Sequence, residues 1–209
     1  MAAEQSESVR IIGALSRVWG DIRKAHADVP DVVLLLSPAH DERAIAHFWA
    51  SIWQHPTEGA RHEVVMFGEH MNRSAEQVMG TLLHEAAHAQ NHVRGIKDCS
   101  ANQYHNREFK RAAEGMGLEV KQLGGYGYAL TWLSAEAEKR WKEQIELIRK
   151  EIQIHRRKKA SAGKVGVQTP KGRNLKASCG CGHLIRVAKT TMQKTEIKCG
   201  TCNQPFTIE

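Results

Sequence analysis

A chain of 209 residues is long enough for one sizeable domain and a small module, and too short for several large ones. Hydrophobic residues at 41% and charged residues at 25% exclude wholesale disorder, and no apolar run approaches the ~20 residues of a membrane-spanning helix. The net charge of +7 is uneven: residues 1–100 carry 9 basic against 13 acidic side chains, residues 101–209 carry 21 against 10, and residues 155–209 hold 12 against 2. That asymmetry fits a working domain followed by an anchor for an anionic partner, most often nucleic acid, or a solvated basic tail. Glu4 and Glu7 precede any basic residue and no compact apolar core follows, so a signal peptide is not expected. The expected compartment is the cytoplasm, where the five cysteines read as metal ligands or free thiols rather than disulfides.

Over 9–22, Val9, Ile12, Leu15, Trp19 and Ile22 recur at helical spacing and predict a helix with one apolar face. Pro30 breaks the chain, and 31–36 reads as a short buried strand ended by Ser37-Pro38. Within 44–53, Phe48, Trp49, Ile52 and Trp53 suggest core packing of a loop or short helix; 62–67 reads as a second strand closed by Gly68. Ser74 and Gln77 form a capping-box pattern ahead of Val78, Leu82, Leu83 and Ala86, the clearest helix start in the chain. A helix over 106–116 is expected with Phe109, Ala112 and Ala113 inward, then a glycine-rich turn over 123–128. A long helix is expected over 134–155, with Trp141, Ile145, Ile148 and Ile152 as its stripe and Glu138–Lys142 and Glu146–Lys150 as i,i+4 pairs. Composition then shifts: 156–176 is a basic, apolar-poor linker, and 177–209 holds four of the five cysteines with short strand-like runs at 184–187 and 206–208.

The helix that starts at Ser74 carries His84-Glu85-Ala86-Ala87-His88. Residues four apart share a helix face, so His84 and His88 can address one metal ion while Glu85 stands beside it to take a proton from water. Small alanines and apolar flanks leave room for an ion, whereas the bland reading is a helix with two incidental histidines. A catalytic zinc takes three protein ligands, and the third is sought among His92, His105, Glu108 and Glu114. His92 lies one further turn along the same helix, and three ligands in line do not wrap around one ion. A ligand on an element that folds back is expected. The 17-residue step from His88 to His105 leaves room for a loop with Gly95 and a return helix, with His105 at its start and Phe109 behind.

Toward the end, Cys179-Gly-Cys181 and Cys199-Gly-Thr-Cys202 flank a 17-residue spacer, as two knuckles gripping a structural zinc would. A module this short has too little core to fold without such a staple. The first pair is tighter than the usual C-x-x-C, which keeps His183 in view as a substitute ligand for Cys179 or Cys181. Cys99 is left over. The run Arg156-Arg157-Lys158-Lys159, with Lys164, Lys171, Arg173 and Lys176, suits phosphate contacts without sequence reading. Trp49, Trp53, Trp132 and Trp141 read as core, and Tyr104, Tyr126 and Tyr128 are candidates for stabilising an oxyanion.

Thr81 to Ala89, then His105-Asn106-Arg107-Glu108-Phe109-Lys110, then the terminal cysteine module, together resemble SprT-like metallopeptidases. That family includes the Spartan-type proteases, which degrade proteins crosslinked to DNA. The resemblance spans roughly residues 30–120 and 176–209. It implies an α+β, zincin-like metallopeptidase domain over 1–155, a basic linker over 156–176 and a zinc ribbon over 177–209. It further implies one catalytic zinc on His84, His88 and His105 with Glu85 as general base, and one structural zinc on Cys179, Cys181, Cys199 and Cys202. The implied role is in DNA repair, with a protein substrate and DNA as partners and no membrane. Where the family commonly has Gly after the third histidine this chain has Asn106, which tolerates left-handed backbone nearly as well. Two other functions fit the same residues: a zinc peptidase without a DNA role, and a non-enzymatic DNA-binding regulator whose histidine site is closed by His92 or Glu108.

Overall fold

The N-terminal apolar stripe becomes α1, Glu7–Ala25, burying Ile11, Leu15, Val18, Trp19 and Ile22 while Val9 stays exposed. The structure, a computed structural model, describes residues 6–40, 44–157 and 174–208. Two compact units divide the chain, Met1–Lys158 and Lys159–Glu209. Together their helices and sheets make an α+β architecture.

In the first unit, β1 (Val32–Ser37) runs parallel to β3 (Gly59–Phe67), and β2 (Ala46–His55) runs antiparallel to β3, in the order β1-β3-β2. As an edge strand, β1 is half-buried along its length rather than fully buried as expected. Segment 44–53 corrects the sequence reading: it is neither loop nor helix but β2, because His47 to Trp49 alternate across the sheet in register with β3. A bulge follows between Trp49 and Trp53, with Ser51 at φ 55°. Beyond the core, Trp49, Ile52 and Trp53 are 54, 55 and 44% exposed. Of the four tryptophans expected in the core, only Trp141 is fully buried, and Trp132 is half-buried.

The capping box forms as the pattern predicts: Gln77 N–H donates to Ser74 Oγ at 3.3 Å and Ser74 N–H to Gln77 Oε1 at 3.1 Å. The helix it starts, α2 (Ala75–Val93), runs through the middle of the core. Its Val78, Met79, Leu82, Leu83 and Ala86 share one buried cluster with the α1 stripe and with Val64 and Met66 of β3. Next come α3 (Arg107–Gly115) and the antiparallel pair β4 (Leu118–Lys121) and β5 (Leu130–Leu133), joined through a 3-10 turn at Gly124–Tyr126.

The expected long helix is two helices, α4 (Ala135–Arg140) and α5 (Lys142–Glu151), parted at Trp141, whose φ −98° and ψ 18° leave the helical region. The break keeps the bulky indole buried beside Ile145 and Ile148. Neither expected ion pair forms: Glu138 and Lys142 do not meet, while Glu146 pairs with Arg149, which also reaches Glu76 of α2, and Lys150 with Glu151. Past α5 the first residues assigned to the linker are docked. Arg156 N–H donates to Gly68 O at 2.9 Å, and its guanidinium pairs with Glu69, a carboxylate that also accepts Ala39 N–H at 2.9 Å. Lys158, Lys159, Lys164, Lys171 and Arg173 lie outside the described residues.

The second unit has a three-stranded antiparallel sheet, order β7-β6-β8, from β6 (Leu175–Ser178), β7 (Leu184–Val187) and β8 (Thr207–Ile208), with α6 (Lys189–Lys194) between β7 and β8. Lys176 is exposed on β6. Among the described residues the buried core of this unit is Ala177, Cys179, Cys199 and Phe206, with Ile185, Val187, Met192 and Ile197 packed half-buried against it. Among the described residues no helix is long and apolar enough to cross a membrane.

Candidate metal centres

On α2, one helical turn separates His84 from His88, and their ring centroids lie 5.1 Å apart. The chain leaves α2 after Val93 and comes back through a short bridge, Cys99 to His105, that brings His105 to 5.2 Å from His84 and 5.0 Å from His88. Ligand atoms of the three histidines lie within 4.8 Å of one another. Phe109 packs against all three rings at 4.5 to 4.6 Å, a wider role than support for His105 alone.

Each imidazole is held through Nδ1. His88 Nδ1–H donates to Asp98 Oδ2 at 2.9 Å, His105 Nδ1–H donates to Gln103 O at 3.0 Å, and His84 Nδ1 pairs with Thr131 Oγ1 of β5 at 2.9 Å. With Nδ1 committed, Nε2 is the nitrogen each ring has left for an ion, the pattern of metal-bound histidine with an outer partner. Burial, and then the neighbouring His88 and His105, hold His84 well below its ordinary range. Burial first and His88 second push His105 down to about 4. Neutral imidazoles are the ligating form, so the donor set fits a zinc ion.

Asp98 is itself oriented, accepting from Asn91 Nδ2 at 3.0 Å; burial opposes its charge, but the bond from His88 prevails and keeps its carboxyl low. Removing this partner in Asp98→Ala is expected to weaken metal binding at the histidine site about 10–100-fold, measured by chelator competition; unchanged affinity would show that Asp98 does not orient His88.

Glu85 is 5% exposed. Burial pushes its carboxyl up to about 7, against the pull of His88 and of a hydrogen bond from Phe48 N–H on β2. The residues that would close the site point to other partners. The His92 ring packs on Phe48 and His62, and Glu108 pairs with Arg111 at 2.8 Å. Among the described residues only the three histidines form this cluster, leaving a coordination position for water or substrate.

Asn106 does not take the left-handed backbone that a glycine there would allow. It is extended at φ −90° and caps α3, its Oδ1 accepting from Glu108 N–H at 2.7 Å and Phe109 N–H at 3.2 Å. The glycine that matters is Gly127. At φ 64° its α-carbon lies so close to His105 that a Cβ would meet His105 O at 2.1 Å. Tyr126 O accepts His105 N–H, and Tyr128 N–H donates to His105 O, both at 3.0 Å, so this turn holds the third histidine by its backbone. Gly127→Ala is expected to cost at least about 1–2 kcal/mol and to strip metal selectively from the histidine site, read as a lower Tm and reduced metal content. Full retention of both would remove Gly127 from the site.

In the second unit, Cys179 Sγ and Cys181 Sγ are 3.3 Å apart, Cys181 and Cys199 3.7 Å, and His183 Nδ1 lies 3.1 Å from Cys181 and 3.6 Å from Cys199. These four donors lie within 4.8 Å of one another. Cys202, expected as the fourth ligand, is not in this group: it lies beside Cys181 and Cys199, and His183 takes its place among the four. Backbone N–H groups of Cys202 and Thr201 draw Cys199 down to about 5, favouring the thiolate that binds metal.

Asp98 and Gln103, from the loop between α2 and α3, and Gly127 and Thr131, from the stretch that enters β5, carry no motif that announces their role. Comparison with known protein families, curated proteins and solved structures finds no match for this chain.

Proposed function

We propose that the protein is a zinc-dependent metallopeptidase of the SprT-like kind, acting on proteins bound or crosslinked to DNA. The observation that carries the reading is the meeting of His84, His88 and His105 beside buried Glu85, without a fourth protein donor among the described residues. A zinc ion held there supplies Lewis acidity, lowering the pKa of water toward about 7 and polarising a peptide carbonyl. Glu85 takes the proton of the attacking water on its carboxylate and passes it to the leaving amine nitrogen. Asp98, Gln103 and Thr131 hold the ring orientations. DNA enters the reading through the basic rear of the chain and the cysteine module, which the same proposal treats as a zinc ribbon.

The test is proteolysis of a DNA-binding protein, with and without DNA, by the zinc-loaded wild type beside Glu85→Gln. Cleavage requiring both DNA and Glu85 is expected. Cleavage that requires Glu85 alone would discard the DNA role, and cleavage by the variant at the wild-type rate would overturn the peptidase mechanism.

A further inference from the structure

The accessible side of α2 is a single stripe. Over residues 78–91 only Thr81, His84 and His88 are not buried, and their spacing, continued one turn back to exposed Gln77, puts them on one helix face. Arg73 lies at the N-terminal end of that stripe. Its Nη2–H donates to Thr81 Oγ1 at 3.0 Å, its Nε–H to His70 O at 2.9 Å and its Nη1–H, at a long 3.5 Å, to Gln77 O near the surface. Thr81 stands three residues before His84, which the helical rise converts to about 4.5 Å along the axis.

The second observation is what Arg73 lacks. The half-buried guanidinium meets only neutral oxygens among the described residues, and burial lowers its pKa with no carboxylate acting against it. Carboxylates on neighbouring segments are committed elsewhere, Glu76 to Arg149 and Glu69 to Arg156. A guanidinium stays charged, and a charge drawn out of water is ordinarily paired. Three of its five N–H groups are engaged, which leaves one on Nη1 and one on Nη2, the two prongs that a carboxylate accepts. The neutral bonds hold this fork in place beforehand, so little side-chain freedom is lost when an anion arrives.

We propose that Arg73 is a specificity-determining residue, receiving the carboxylate of an aspartate or glutamate side chain beside the scissile bond of a peptide substrate. This rests on the peptidase reading above, since the histidine stripe is what leads a peptide past the guanidinium. One recessed guanidinium with two free donors matches one planar carboxylate. A nucleic-acid backbone is better served by several unpaired cations, and Arg149, joined to α2 through Glu76, is already held by two carboxylates.

The experiment gives the full-length, zinc-loaded protein a library of proteome-derived peptides, with a short DNA duplex present, and maps the cleavage sites. Asp or Glu is expected to be preferred over Asn or Gln by about 10–100-fold at one fixed position beside the scissile bond. In R73Q that ratio is expected to fall to about 1, and R73K to restore part of it, since an ammonium supplies the charge without the fork. Cleavage with no acidic preference overturns the inference and leaves the peptidase reading standing. A preference that survives in R73Q, whatever the loss of rate, overturns it too and leaves Arg73 a structural role. Absence of any cleavage counts against the peptidase reading, and binding then decides the inference: the Arg73 Nε–H resonance is followed as polyalanine hexapeptides carrying one Glu or one Gln are added. A saturable shift with the Glu peptide alone supports a carboxylate site beside the histidines. A shift common to both peptides, a shift caused by the duplex alone, or none at all overturns it.

Discussion

On the proposed peptidase reading, Glu85→Gln is expected to lower turnover by about 10²–10⁴-fold without loss of bound metal. The substitution is close to isosteric, and the glutamine carbonyl can still accept Phe48 N–H, so the buried packing around α2 has no reason to change. What disappears is a carboxylate able to take a proton. Burial raises this carboxyl, against the pull of His88 and of the Phe48 N–H. Turnover and metal content measured on one preparation separate the two contributions. Lost activity with retained metal assigns proton transfer to Glu85, lost metal would give it a structural role, and retained activity would remove it from the mechanism.

The second large effect is expected at the cysteine cluster: chelation should unfold residues 174–208 while the first unit keeps its own melting transition. Among the described residues four buried side chains, two of them cysteines, and a few half-buried ones such as Ile185 and Val187 make the core of this unit, too little apolar surface to offset the entropy of ordering it. Metal binding to structural zinc sites contributes about 10–16 kcal/mol in small peptides, enough to reverse that balance. Collapse of amide dispersion in this segment, together with newly alkylated cysteines, is the expected readout. A dispersed spectrum after complete metal removal would show that the sheet holds itself. His183→Ala and Cys202→Ser, compared for metal affinity, identify which of the surplus donors ligates: the larger loss marks the ligand.

Short-range features of the chain were legible without a structure. His84, Glu85 and His88 depend only on the helical repeat, and the capping box at Ser74 and Gln77 depends on three consecutive peptide units, so neither needs the rest of the fold. The paired cysteines are similarly local, whereas the spacing left His105 as one of four candidates for the third histidine-site ligand, singled out there by the family resemblance.

Tertiary structure decided the rest. Strand β2 was misread because aromatic residues occupy both faces of His47 to Trp49 and the bulge at Ser51 interrupts the alternation, so the pattern resembled irregular core. The helix break at Trp141 has no glycine or proline to announce it, and it coincides with the buried indole. The outer partners of the histidines come from two segments, Asp98 and Gln103 from the α2–α3 loop and Thr131 from β5. Gly127 is required by the approach of a carbonyl 22 residues earlier in the chain. A residue pattern carries the period of its own helix or strand, but which side chain completes another's hydrogen bond depends on how distant segments pack, and that packing is a property of the whole core.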